Sequence, residues 1–142
     1  MTTSTRPDGT RTGPTEADQV AVAALTQKVV AAWAYHDAEA FAGVFVDEGT
    51  MILPGVYRKG REEIRAFMAE AFATTYKGTQ VTGKPIDFRF LADDVALLLT
   101  LGGVLGADES EITTGSAIRA SWLAVRREGE WKLAAYQNSP RD

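Results

Sequence analysis

The sequence contains no cysteine and a single histidine, His36. Without cysteine there is no disulfide framework, no thiolate nucleophile and no cysteine metal site. One histidine excludes a two-histidine zinc site. The carboxylate pairs Asp93-Asp94 and Asp108-Glu109 fall in turn-like contexts, so no metal is expected. Long apolar runs are missing too, and nothing approaches the roughly 20 residues that span a bilayer. The first residues lack the apolar stretch of a secretory signal, so a cytoplasmic location is the default expectation. Basic excess is absent: 15 Lys and Arg face 19 Asp and Glu, for a net charge of −4. That leaves no electrostatic footprint for nucleic acid. No glycine-rich phosphate loop follows a strand, and no cofactor is implied.

What is present suits one domain of 142 residues with an ordinary apolar fraction of 45%. Residues 1–15 are rich in Thr, Gly, Pro and Arg and read as a disordered arm before a domain over 16–142. Leu25, Val29, Ala32, Trp33 and His36 recur at three- and four-residue spacing, which predicts a helix over 16–35. Asp37 has the character of an N-cap for a second helix, 38–46, with Phe41, Val44 and Phe45 on its apolar face. Thr50–Leu53 reads as a short strand stopped by Pro54-Gly55, with Val56–Arg58 returning as its partner. Gly60-Arg61-Glu62-Glu63 opens a third helix carrying Ile64, Phe67, Met68, Ala71 and Phe72. After Thr75 the pattern is β, with strands expected at 78–90, 94–105, 115–127 and 131–139. Helices followed by an antiparallel meander make an α+β arrangement.

Trp33 followed by Asp37, the Phe41–Phe45 stretch and Gly60-Arg61-Glu62-Glu63-Ile64 resemble the helical half of NTF2-like proteins. The ending Gly129-Glu130-Trp131-Lys132-Leu133 through Tyr136-Gln137-Asn138-Ser139 resembles their last hairpin and strand. The resemblance covers residues 18–140. It implies an NTF2-like (cystatin-like) cone, with three N-terminal helices packed on a strongly curved antiparallel sheet around a pocket. Arg119-Ala120-Ser121 and Gln137-Asn138-Ser139 resemble the SgcJ/EcaC subgroup. Members of that subgroup occur in bacterial enediyne pathways beside an iterative polyketide synthase. This finer resemblance implies a polyene or polyketide ligand, and functional association with polyketide synthase enzymes. Fold alone does not give function.

Side chains alternate along a strand, so one anchored position fixes the parity of the rest. Aligning the Glu128-Gly129 turn with the last hairpin of ketosteroid isomerases turns Arg119, Ser121, Leu123 and Val125 inward, together with Ala134, Tyr136 and Asn138. Trp122, Trp131, Leu133 and Gln137 then face outward, and two outward tryptophans suggest a homodimer through that face. The positions that match the isomerase tyrosine, general-base aspartate and protonated aspartic acid are Val29, Leu53 and Ser121, so all three catalytic groups are missing.

A sparse polar set remains. An inward Arg119 either pairs with a helix acid such as Glu63 or Asp37 or anchors a ligand oxygen. Tyr136 and Asn138 either pack and cap the last strand or hold a substrate oxygen. His36 either caps the first helix or moves a proton. Ser121 either bonds to Arg119 or relays a proton. Trp33, Met51, Leu53, Met68, Phe72 and Leu123 are candidates for the apolar wall, and Tyr57 and Arg58 for the mouth. The expectations are a cofactor-independent cyclase or isomerase of a polyene or polyketide, a non-catalytic carrier of such an intermediate, or a dimerisation module with a vestigial pocket.

Overall fold

The structure, a computed structural model, describes residues 13–109 and 117–141. The expected arm lies almost wholly outside the described residues, as does most of the expected polar connection from Gly106 to Gly115. Three helices come first, interleaved with a hairpin: α1 Glu16–Ala34, α2 Ala38–Gly43, β1 Phe45–Leu53, β2 Val56–Lys59 and α3 Arg61–Ala73. Four long strands follow: β3 Gln80–Ala92, β4 Val95–Leu105, β5 Ala117–Arg127 and β6 Glu130–Pro140. They form one six-stranded sheet in the order β2-β1-β6-β5-β4-β3.

Local chemistry sets the helix starts. Thr15 and Asp18 form a capping box, Thr15 Oγ1 accepting from the Asp18 amide at 3.1 Å while Asp18 Oδ2 accepts from the Thr15 amide at 2.8 Å. Asp37 caps α2 by accepting from the Ala40 amide at 3.0 Å. α1 buries Val22, Leu25, Thr26, Val29, Ala32 and Trp33, one face of a 3.6-residue repeat. His36 follows α1 with φ of 51°, the left-handed conformation that often ends a helix. Among the described residues, no helix is long and apolar enough to cross a membrane.

The second helix is shorter than its apolar spacing predicts. It stops at Gly43, and β1 begins at Phe45. Val44-Phe45-Val46 is a β-branched and aromatic run that favours extended backbone. Tertiary bonds hold it there: the Leu133 amide donates to Val44 O at 2.9 Å, and Arg61 donates to Phe45 O at 2.7 and 3.2 Å. That extension lets β1 pair in parallel with β6, so the sheet is mixed rather than purely antiparallel. Phe45, Met51, Ile64, Met68, Leu98 and Leu133 are fully buried between the helices and the sheet.

The parity expected for the last two strands is corrected by a bulge. Near the turn Arg126 opposes Trp131 and Ala124 opposes Leu133, but Leu123 opposes Ala135 and Trp122 opposes Tyr136. One extra residue on β6 flips its facing from there onward. Ala120, Trp122 and Ala124 therefore share the inner face with Leu133, Tyr136 and Asn138. Trp122, Trp131 and Leu133 are buried at 5%, 7% and 0% exposure, not turned outward. Gln137 is exposed.

Candidate functional site

A cavity of about 60 Å³ lies between the helices and the inner face of the sheet. α1 contributes Thr26, Val29 and Trp33; α3 contributes Met68; and β1, with the segment before it, contributes Phe41, Phe45, Met51 and Leu53. Gly83, Thr100, Gly102, Ala120, Trp122, Leu133, Tyr136 and Asn138 form the sheet wall. Tyr76, from the segment after α3, lies against Trp33 with ring centroids 4.6 Å apart. Gly102 permits a close crossing of β3 and β4: a Cβ there would lie 2.0 Å from the Thr82 carbonyl oxygen.

The polar groups are few and placed on rigid elements. Asn138 Nδ2 donates to the Tyr136 hydroxyl at 2.9 Å. Its Oδ1 is buried without a hydrogen-bond partner among the described residues. Exchanging the amide's two ends leaves the NH2 group unpaired instead, so the pair presents spare hydrogen-bonding capacity in either orientation. Burial pushes the Tyr136 hydroxyl up to about 12, outweighing the opposing bond from Asn138. At neutral pH it is a neutral donor and not a base. Burial also raises Tyr76. Trp122 Nε1 donates to Thr100 Oγ1 at 2.9 Å, and the Trp122 and Tyr136 rings meet edge to face at 4.8 Å. Thr26 Oγ1 is likewise buried and unpartnered among the described residues.

Of the residues singled out from sequence, Trp33, Met51, Leu53, Met68, Tyr136 and Asn138 come together at this cavity. Phe72 is buried behind it, edge-on to Trp33 at 5.4 Å. His36 stands outside the wall: its ring contacts Phe72, and Nε2 bonds Thr79 O at 3.1 Å. Tyr57 is 57% exposed on β2. Arg119 and Ser121 are exposed on the opposite face of the sheet, where Arg119 opposes Leu101 and Ser139. Half-buried Leu123 shares that face, opposite Leu97 and Ala135. An Arg119 pair with Glu63 or Asp37 is not formed; Glu63 accepts from the Lys59 amide and Asp37 caps α2. The extra residue in β6 is the reason: without it Arg119 would face the same side as Asn138.

Thr26, Thr100, Trp122 and Tyr76 were missed. Thr26 and Thr100 had a legible signal, since each interrupts an otherwise apolar run, Val22-Leu25-Val29 on the helix and Leu98-Gly102 on the strand. Among the described residues lining the cavity there is no Asp, Glu, His, Lys or Arg. No cluster of three His, Asp or Glu able to hold a metal occurs among the described residues.

A domain of unknown function from Nostoc punctiforme has a similar structure, with TM-score 0.84 and 28% identity over 90% of this chain and 80% of that one. A second Nostoc punctiforme protein of unknown function gives 0.79 and 17%, over 92% and 97% of the two chains. An NTF2-like protein from Novosphingobium aromaticivorans gives 0.75 and 20%, over 89% and 83%. All three have cystatin-like folds. No curated protein matches. The SnoaL-like domain model matches residues 22–142. With the cavity between helices and sheet, that match covers nearly the whole domain, and the chain belongs to the SnoaL-like domain family.

Proposed function

We propose that this protein binds a small, uncharged and mainly apolar molecule, holding an oxygen of it at Tyr136 and Asn138. One observation carries the reading: the described cavity wall is apolar with a few neutral hydrogen-bonding groups, and it has no ionised side chain. A charged ligand would lose its hydration there with no counter-charge to compensate. General acid-base catalysis needs a group that titrates near the working pH. Tyr136, held up to about 12, does not. The protein therefore works by enclosing and orienting its ligand. The test is an amide NMR titration with 1-butanol and with butyrate. Shifts at Gly83, Gly102 and Asn138 for the alcohol alone are expected. No shift, or a preference for butyrate, overturns the reading.

A catalytic version is favoured by a specific feature, the paired Tyr136 hydroxyl and Asn138 amide. Neutral donors beside a buried carbonyl stabilise negative charge as it develops there. Together with the SgcJ/EcaC resemblance, this supports cyclisation or isomerisation of a polyene or polyketide intermediate in enediyne core biosynthesis. An extended polyene needs far more room than about 60 Å³, so the Trp33–Tyr76 wall would have to open. Mass spectrometry of the protein incubated with a synthase-made polyene separates the versions: a new product indicates catalysis, and retained, unchanged polyene indicates a carrier.

The outer sheet face supports a homodimer by residues other than those expected. Leu97, Leu99, Leu101 and Leu123 are only half-buried there, and Ile52 and Ile86 are 39% and 55% exposed. So many partly exposed aliphatic side chains on one sheet face, interrupted by Arg119, Ser121 and Gln137, are unusual on a monomer.

A further inference from the structure

We infer that the ligand carries a second hydrogen-bonding group and that the Thr26 hydroxyl reads it, an inference that rests on the ligand-binding reading of the cavity. Thr26 is on the buried stripe of α1 with 1% exposure, and its Oγ1 has no partner among the described residues. A helical threonine ordinarily satisfies its hydroxyl on the carbonyl one turn back. Here that bond is not made, although the side chain lines the cavity. A buried hydroxyl without a partner costs free energy that an isosteric valine would avoid. Toward Gly83 it is the Thr26 methyl group that comes nearest, 3.4 Å from where a Cβ would stand.

Position turns this into a statement about the ligand. A Cβ on Gly83 would lie 3.4 Å from Thr26 Cγ2 and 3.9 Å from Thr100 Oγ1, so Thr26 stands over the β3–β4 side of the cavity. Thr100, Ala120 and Asn138 form one row across β4, β5 and β6. Asn138 is thus two strand spacings away, roughly 10 Å along the sheet. The cavity offers two separate polar poles with apolar wall between them. Thr100 differs in that its Oγ1 is already partnered, accepting from Trp122, which leaves Thr26 as the wholly unpartnered buried hydroxyl among the described residues. The complementary class is a short apolar body with a neutral oxygen function at each end, such as a diol or a hydroxy-ketone.

The experiment compares 1-butanol with 1,4-butanediol on the full chain by amide NMR titration, for wild type, Thr26→Val and Thr26→Ser. Comparing ratios cancels the greater hydrophilicity of the diol. The diol-to-alcohol affinity ratio is expected to fall at least threefold in Thr26→Val, the size of one net hydrogen bond. It should return in Thr26→Ser, which keeps the hydroxyl. A ratio unchanged in Thr26→Val, with both compounds still shifting Gly83 and Asn138, overturns this inference and leaves the binding reading standing. Absence of shifts with either compound in wild type overturns both.

Discussion

Single side chains at the cavity set measurable parts of the stability, and Thr26 and Tyr136 do so in different ways. Replacing Thr26 by valine removes an unpartnered buried hydroxyl at constant shape. The ligand-free protein should become more stable by about 1 kcal/mol, measured by urea denaturation. A loss of stability would mean that the hydroxyl serves the fold. Tyr136 makes stability depend on alkaline pH. Its ordinary value of 10.0 is raised to about 12, so the folded state holds this proton more tightly than the unfolded chain does. That contribution is complete below pH 10 and is lost as pH rises from the unfolded value through the folded one. The loss should reach about 1 kcal/mol by pH 11. Tyr136→Phe should remove that part of the decline, and denaturation curves at pH 8, 10 and 11 check it. Tyr76, also raised by burial, adds to the slope in the same direction.

At the scale of elements, the cavity depends on how closely β3 and β4 cross at Gly102. A Cβ at 2.0 Å from the Thr82 carbonyl oxygen cannot be accommodated without moving the backbone of both strands. Gly102→Ala should cost about 3 kcal/mol in denaturant unfolding. Gly43→Ala, where a Cβ would meet nothing within 4 Å, is the control and should change stability by less than about 1 kcal/mol. Most elements were legible from sequence because their signals are local: Asp37 as an N-cap, Pro54-Gly55 and Glu128-Gly129 as turns, and the α1 stripe. Two features were not. Phe41, Val44 and Phe45 fit a helical face as well as an approach to a strand, and the parallel pairing with β6 that decides between them is a tertiary event. The bulge after Leu133 adds one residue with no composition cue of its own. On β5, however, alternation was readable: exposed Arg119 and Ser121 interleave with buried Ala120, Trp122 and Ala124. Tyr136 and Asn138 were placed inward correctly and Arg119 was not, because the bulge lies between the two registers.

For the whole molecule, the same sheet has one face committed to the cavity and the other left aliphatic. Burying Trp122 and Trp131 removes the tryptophans from the outer face but leaves on it the in-register rows Leu97-Leu123-Ala135 and Leu99-Ser121-Gln137-Ile52. A two-fold contact would bring these rows against their own copies, with Arg119, Lys84 and Asp87 in flanking positions. Such a contact buries the exposed part of each leucine without disturbing the cavity, since strand side chains alternate. Wild-type protein should therefore sediment at twice the chain mass of 15.3 kDa at micromolar concentration. Leu99→Glu places a charge at the centre of the face and should shift the protein to monomer while 1-butanol still perturbs Gly83 and Asn138. A wild-type monomer across that range would remove the dimer. A Leu99→Glu monomer that no longer binds the alcohol would instead show that the two faces are energetically coupled through the sheet.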